Sequence, residues 1–199
     1  MEIIELILDE NEEMTGIEAV SIVESPAIES DFIALASEEV QLAKVDEEKK
    51  LLMGAALIPN KPIYRKRNDT DFYVYFSKDT VRKASEMFFQ NGNQNNATLE
   101  HDMSLKGLTV VESWIVEDNK MDKSAMYGLT VPNGTWMISM KVNNDEVWQE
   151  YVKENKVKGF SIEGYFADRA KLKEAETMDE LEAQKKIDEI LDLLKWKGK

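Results

Sequence analysis

At 199 residues, with 43% hydrophobic and 32% charged residues, the chain has the composition of a soluble globular protein with one substantial core. No apolar run approaches the roughly 20 residues of a membrane span, the N-terminus lacks the basic and long apolar stretches of a secretory signal, and the absence of cysteine excludes disulfide and thiolate chemistry. The net charge of −14 is unevenly placed: residues 1–50 carry 15 acids and 3 lysines, the remainder 24 acids and 22 bases. That balance argues against nucleic acid as a partner, because phosphate neutralisation needs clustered Lys and Arg.

Residues 1–50 mix short apolar runs (Ile3 to Leu8, Ile17 to Val23, Phe32 to Ala36) with acids, and Pro26 interrupts them. They read as an acidic arm or propeptide of extended pieces without a core of its own. A folded domain is expected over 51–167. Leu51 to Ile58 and Phe72 to Phe76 read as strands, being short, apolar or aromatic, and bounded by polar or Pro-containing stretches. Asp79 to Gln90 places Val81, Ala84, Ser85 and Phe88 on one helical face, with Asn91-Gly92 as a stop signal. After the polar loop Asn91 to Asn96, Thr98 to Met103 is read as extended and Gly107 to Glu117 as β-rich. Pro132-Asn133-Gly134 marks a turn before the strand Thr135 to Val142. Asn144 to Glu154 carries Val147, Trp148, Tyr151 and Val152 at helical spacing, and Lys156 to Phe166 reads as another strand. From 168 to 199 the pattern is an amphipathic helix, with a capping box at Thr177-Met178-Asp179-Glu180 and a stripe of Leu181, Ile187, Ile190, Leu191 and Leu194. The stripe either packs on its own domain or meets a partner helix or a second copy of the chain.

Candidate chemistry is bounded by scarcity. Imidazole is the only side chain whose ordinary pKa lies near neutrality, and the chain has one, His101. If Thr98 to Met103 is a strand, His101 shares a face with Leu99 and Met103, where a lone histidine is usually a satisfied core residue. With one His and no Cys, nothing spells out a metal site, and no cofactor is expected. Ser161 lies between Gly159 and Gly164, whose backbones allow close approach. The nucleophile elbow Gly-x-Ser-x-Gly fails, because Glu163 stands where it needs glycine, and by spacing alone Ser161 is a strand serine. A Ser–His pair needs a third group to hold the imidazole. Along Leu108 to Glu117, alternation puts Glu112 on a face with Leu108, Val110, Trp114 and Val116; a carboxylate there requires a partner, which makes Glu112 the first candidate and Asp118 the second. Glu117, Glu163 and Asp168 read as solvated surface.

Several segments resemble, in this order, the XkdF-like serine protease family of tailed phages and prophages. They are Leu57-Ile58-Pro59-Asn60-Lys61-Pro62-Ile63-Tyr64-Arg65, Thr98-Leu99-Glu100-His101, Glu112-Ser113-Trp114-Ile115-Val116, Gly134-Thr135-Trp136-Met137, and Gly159-Phe160-Ser161-Ile162-Glu163-Gly164-Tyr165-Phe166. An N-terminal signature, Gly16 to Ile28, belongs to the same resemblance, which spans about 16–166. It implies an α+β fold, a mostly antiparallel β-barrel flanked by helices as in prohead proteases and herpesvirus assemblin. Carried over by position, Ser161 is the nucleophile and His101 the general base. The assemblin pattern has a second histidine after the serine and this chain has none, so Glu112, Asp118 or a simple dyad remain open. The resemblance further implies an endopeptidase acting on phage scaffold, the major capsid protein's extension and itself, inside the assembling procapsid in the host bacterial cytoplasm, without membrane or nucleic-acid partners. Leu35-Ala36-Ser37 loosely fits the small-residue-then-Ser cleavage preference of assemblin-like enzymes. The competing expectation is a non-catalytic protein with a protease-like fold that binds capsid or scaffold. For a catalytic pair, Ser161 Oγ should lie within hydrogen-bond reach of a His101 ring nitrogen, with some looseness allowed in the absence of substrate.

Overall fold

The computed structural model describes residues 2–9, 12, 15–24, 33–34, 49–67, 70–174, 177–178, 181 and 184–187. The chain forms β1 (Glu2–Ile7), β2 (Gly16–Val23), β3 (Ile33–Ala34), β4 (Leu51–Leu57), β5 (Ile63–Arg67) and β6 (Thr70–Phe76). Helix α1 (Lys78–Gln90) follows, then β7 (Ala97–Leu99), β8 (Met103–Leu105) and β9 (Leu108–Ile115). A short α2 (Lys123–Met126) leads to β10 (Trp136–Val142), α3 (Asp145–Val147) extended by a wider turn over Trp148–Val152, β11 (Gly159–Tyr165) and β12 (Ala167–Asp168). Most bounds lie close to the strands and helices expected from apolar periodicity, but the expected extended run Thr98 to Met103 is split into β7 and β8, and β5 and α2 are unexpected; Tyr64, Arg65 and Lys66 hide β5 behind polar and aromatic residues.

The strands form three four-stranded sheets in the orders β12-β1-β6-β5, β3-β4-β10-β9 and β11-β2-β7-β8. The α+β class holds, but among the described residues no barrel closes. Closure needs every strand paired on both sides, whereas each of these sheets ends in two edge strands. Most pairings are antiparallel; β1 with β6 and β2 with β7 run parallel.

Those two parallel pairings correct the expected boundary at residue 50. β1 lies between β6 and β12, and β2 lies between β11 and β7. Val20 and Ile22 are fully buried, so the apolar runs near the N-terminus complete the main sheets instead of forming a separate arm. Among the described acids of this region, Glu18 and Glu24 are exposed.

The core gathers around Trp136, Trp148, Phe88 and Phe160, all at most 2% exposed. Helix α1 starts at Ser77, whose side chain accepts from the Thr80 amide, as an N-cap should. Its apolar face brings Phe88 edge-on to Trp136 with centroids 5.5 Å apart, a geometry worth about 1 kcal/mol beyond burial.

Two further expectations change. The strand β9 is bulged opposite the Ser139/Met140 step, because Val110 faces Met140, Glu112 faces Ser139 and Val111 has no counterpart. A bulge interrupts alternation, so Glu112 is exposed while Leu108 and Val110 are buried. The C-terminal helix begins at Asp168, whose carboxylate accepts from the Ala170 and Lys171 amides. Thr177 is itself helical and its hydroxyl donates back to the Lys173 carbonyl, so it does not act as an N-cap; Asp179 and Glu180 lie outside the described residues. Arg169 anchors the helix start by reaching both oxygens of Glu5 at 2.8 Å. Beyond it Met178, Leu181 and Ile187 are exposed, so the described part of the apolar stripe does not pack on its own domain; Ile190, Leu191 and Leu194 lie outside the described residues.

Candidate active site

The site is built across the sheet β11-β2-β7-β8. Ser161 on β11 stands directly opposite Ser21 on β2, and Ser21 stands opposite Thr98 on β7. Directly paired residues project to the same face, so these three hydroxyl residues form a row. Glu163, two residues beyond Ser161, shares that face, opposite the small Ala19. The other face carries Phe160, Val20, Ile22 and Leu99 into the core. Alternation of small polar with large apolar residues thus decides which side of the sheet holds chemistry and which holds the fold together.

His101 is not on a strand. β7 and β8 are joined by a tight turn in which Glu100 and His101 both have left-handed backbones, with φ of 52° and 61°, and the Asp102 amide donates to the Leu99 carbonyl at 3.0 Å. Left-handed φ at both central positions is the twist a two-stranded connection demands, yet each costs a non-glycine residue roughly 1–2 kcal/mol. The turn lifts His101 off the expected Leu99/Met103 face and onto the hydroxyl face. There its backbone amide donates to Ser21 Oγ at 3.0 Å and its ring Nδ1 lies 3.1 Å from Glu163 Oε1. The same carboxylate oxygen accepts from the Thr98 hydroxyl. Glu163 is held from two sides with its side chain 29% exposed, and the His101 side chain is 42% exposed.

Glu163, set aside in the sequence as surface, is therefore the carboxylate that meets the histidine. The signal that places it was present: in a strand, the residue two after Ser161 must share its face. Glu112, expected in that role, lies in a different sheet, where Lys123 Nζ approaches its Oε2 at 2.5 Å. Burial alone would raise the Glu112 carboxyl, but Lys123 and the Ser139 hydroxyl outweigh it and hold it below its ordinary value. Asp118 serves its own turn, accepting from the Lys120 amide at 2.9 Å. The structure brings His101 and Glu163 together, and brings neither Glu112 nor Asp118 to them.

Ser161 is 6% exposed. It contributes to the lining of a mostly apolar cleft of about 280 Å³ that also involves Leu57, Phe72, Val74 and Phe76. Glu163 and Thr98 line a second, more polar cleft of about 540 Å³ that runs toward Lys106 and Thr109. Among the described residues, Ser161 Oγ makes no hydrogen bond to the imidazole; the ring's contact is with Glu163. No group of three or more His, Asp or Glu among the described residues is placed to hold a metal ion.

A serine, an imidazole and a carboxylate on one sheet face are the residue set that serine hydrolases use. The chain belongs to the family described as putative phage serine protease XkdF, whose model matches residues 39–171. The match leaves out residues 16–28 and with them β2. No curated protein and no solved structure matches the chain.

Proposed function

We propose that the protein is a serine endopeptidase of phage capsid maturation in which Ser161 is the nucleophile, His101 the general base and Glu163 the carboxylate that orients it. The carrying observation is the 3.1 Å contact between His101 Nδ1 and Glu163 Oε1 on the face that bears Ser161. An ionised carboxylate only accepts, so Nδ1 donates and Nε2 is left with its lone pair. That is the tautomer a general base needs: Nε2 takes the Ser161 proton, Oγ attacks the peptide carbonyl, the imidazolium returns the proton to the departing amine, and water resolves the acyl-enzyme. Substrates by this reading are phage scaffold, the capsid protein's extension and the chain itself near Ala36-Ser37, a position outside the described residues, acting within the assembling procapsid of the host bacterium.

One observation favours a second reading, a non-catalytic capsid- or scaffold-binding protein: Ser161 is nearly buried and not hydrogen-bonded to the imidazole. Co-expression with candidate scaffold and capsid proteins separates the two. The protease reading expects cleavage by the wild type that Ser161→Ala and His101→Ala abolish; uncleaved partners that co-purify with all three proteins would establish the binding protein instead.

A further inference from the structure

The proposed machinery depends on a backbone that is expensive to hold. Two consecutive non-glycine residues, Glu100 and His101, sit in the left-handed region, and such conformations persist where the surroundings over-determine them. Three hydrogen bonds with β2 and the residue that follows it do so. The Glu100 amide donates to the Ile22 carbonyl at 3.1 Å, the Glu24 amide donates to the Glu100 carboxylate at 2.6 Å, and the His101 amide donates to Ser21 Oγ at 3.0 Å. The last is the one that holds the backbone of the histidine itself. Ser21 Oγ also donates to the Thr98 carbonyl, 3.4 Å away, which aims its lone pairs toward the His101 amide. Ser21 is fully buried and stands between β11, which carries Ser161, and β7, which leads into the His101 turn, opposite both Ser161 and Thr98.

We propose that Ser21 is a positioning residue of the active site: its hydroxyl holds the His101 turn so that the ring meets Glu163 and presents Nε2 to the Ser161 face. The inference rests on the reading of Ser161, His101 and Glu163 as a catalytic set. It makes β2, which lies outside the matched family span, a working part of the site. Ser21 does not touch the reacting atoms; it acts through the turn. Without its oxygen the His101 amide loses its partner in a part-buried setting, and the turn relaxes toward geometries that carry the ring away from Glu163.

The lone histidine gives a direct readout, because its imidazole nitrogens are the only ones in an NMR spectrum of the full chain. With the ring neutral, long-range proton–nitrogen correlation reports which nitrogen carries the proton. The expected result is the Nδ1–H tautomer in the wild type and in Ser21→Thr, and a shift toward Nε2–H in Ser21→Ala. Peptide cleavage, if present, falls roughly 10- to 100-fold in kcat in Ser21→Ala, with little change in KM. Circular dichroism checks the fold, and should Ser21→Ala not fold, the nearly isosteric Ser21→Cys is read in the same way, since sulfur is a weak acceptor. A wild-type tautomer with unchanged kcat in the folded alanine or cysteine variant overturns the proposal while leaving the protease reading intact. A tautomer shift in a protein whose wild type cleaves nothing leaves Ser21 as the residue that sets the imidazole and overturns the protease reading alone.

Discussion

Glu163 and Glu112 show how position decides the role of two chemically identical side chains. Both are carboxylates on strands near a cation or an imidazole, but Glu163 meets His101 and Thr98, whereas Glu112 is neutralised by Lys123. Glu163→Gln replaces an acceptor that fixes the tautomer with an amide that does not, and is expected to lower kcat roughly 10²-fold. Glu112→Gln removes a partly exposed ion pair worth about 0–1 kcal/mol and is expected to leave kcat unchanged; a steady-state peptide cleavage assay on both variants tests the assignment. Gly164 makes a second residue-scale demand. A Cβ there would lie 2.0 Å from the Gly16 carbonyl oxygen and 2.8 Å from the Ile17 Cα, backbone atoms that cannot step aside. Gly164→Ala must push β11 away from β2, and a loss of about 1–3 kcal/mol or more is expected in denaturant unfolding.

At the scale of elements, most strands and helices were legible because their apolar residues keep the period of the element. What was hidden depended on local backbone events that periodicity does not encode. The left-handed turn at Glu100 and His101 broke an apparent strand and moved the histidine to the polar face, and the bulge at Val111 reversed the expected burial of Glu112. The Asp122 cap of α2 is another such event: its carboxylate accepts from the Ser124 amide at 2.7 Å, the Ser124 hydroxyl at 2.6 Å and the Trp114 indole at 3.1 Å. Burial alone would raise this carboxyl, but the hydrogen bonds from Ser124 and Trp114 outweigh it and hold it below its ordinary value. A depressed carboxyl contributes stability that is present above its unfolded pKa and is lost as pH falls through the folded one. The melting temperature is therefore expected to fall on acidification below about pH 4, and Asp122→Asn, with its lower starting stability, to fall less steeply. A parallel decline in both proteins would show that Asp122 has no part in acid lability.

For the whole molecule, the family could be read along the chain, whereas the pairing of β1 and β2 into the main sheets could not. Acidic composition marks the N-terminal residues as an arm, but burial and pairing make β1 and β2 parts of the sheets. Removing residues 1–24 strips one strand from between β6 and β12 and another from between β11 and β7. The truncated chain is expected to lose cooperative unfolding by calorimetry; a two-state transition near that of the full chain would restore the idea of a dispensable arm. By the same logic, cleavage near Ala36-Ser37 would leave the N-terminal strands bound in their sheets. Whether Ser161 becomes nucleophilic through His101 held by Glu163 is decided by covalent capture with a fluorophosphonate, read by intact mass and peptide mapping. One adduct is expected, on Ser161, with fluoride lost from phosphorus, absent in Ser161→Ala and His101→Ala and slowed in Glu163→Gln; an unmodified wild type, or an adduct on another residue that survives Ser161→Ala, would contradict that assignment.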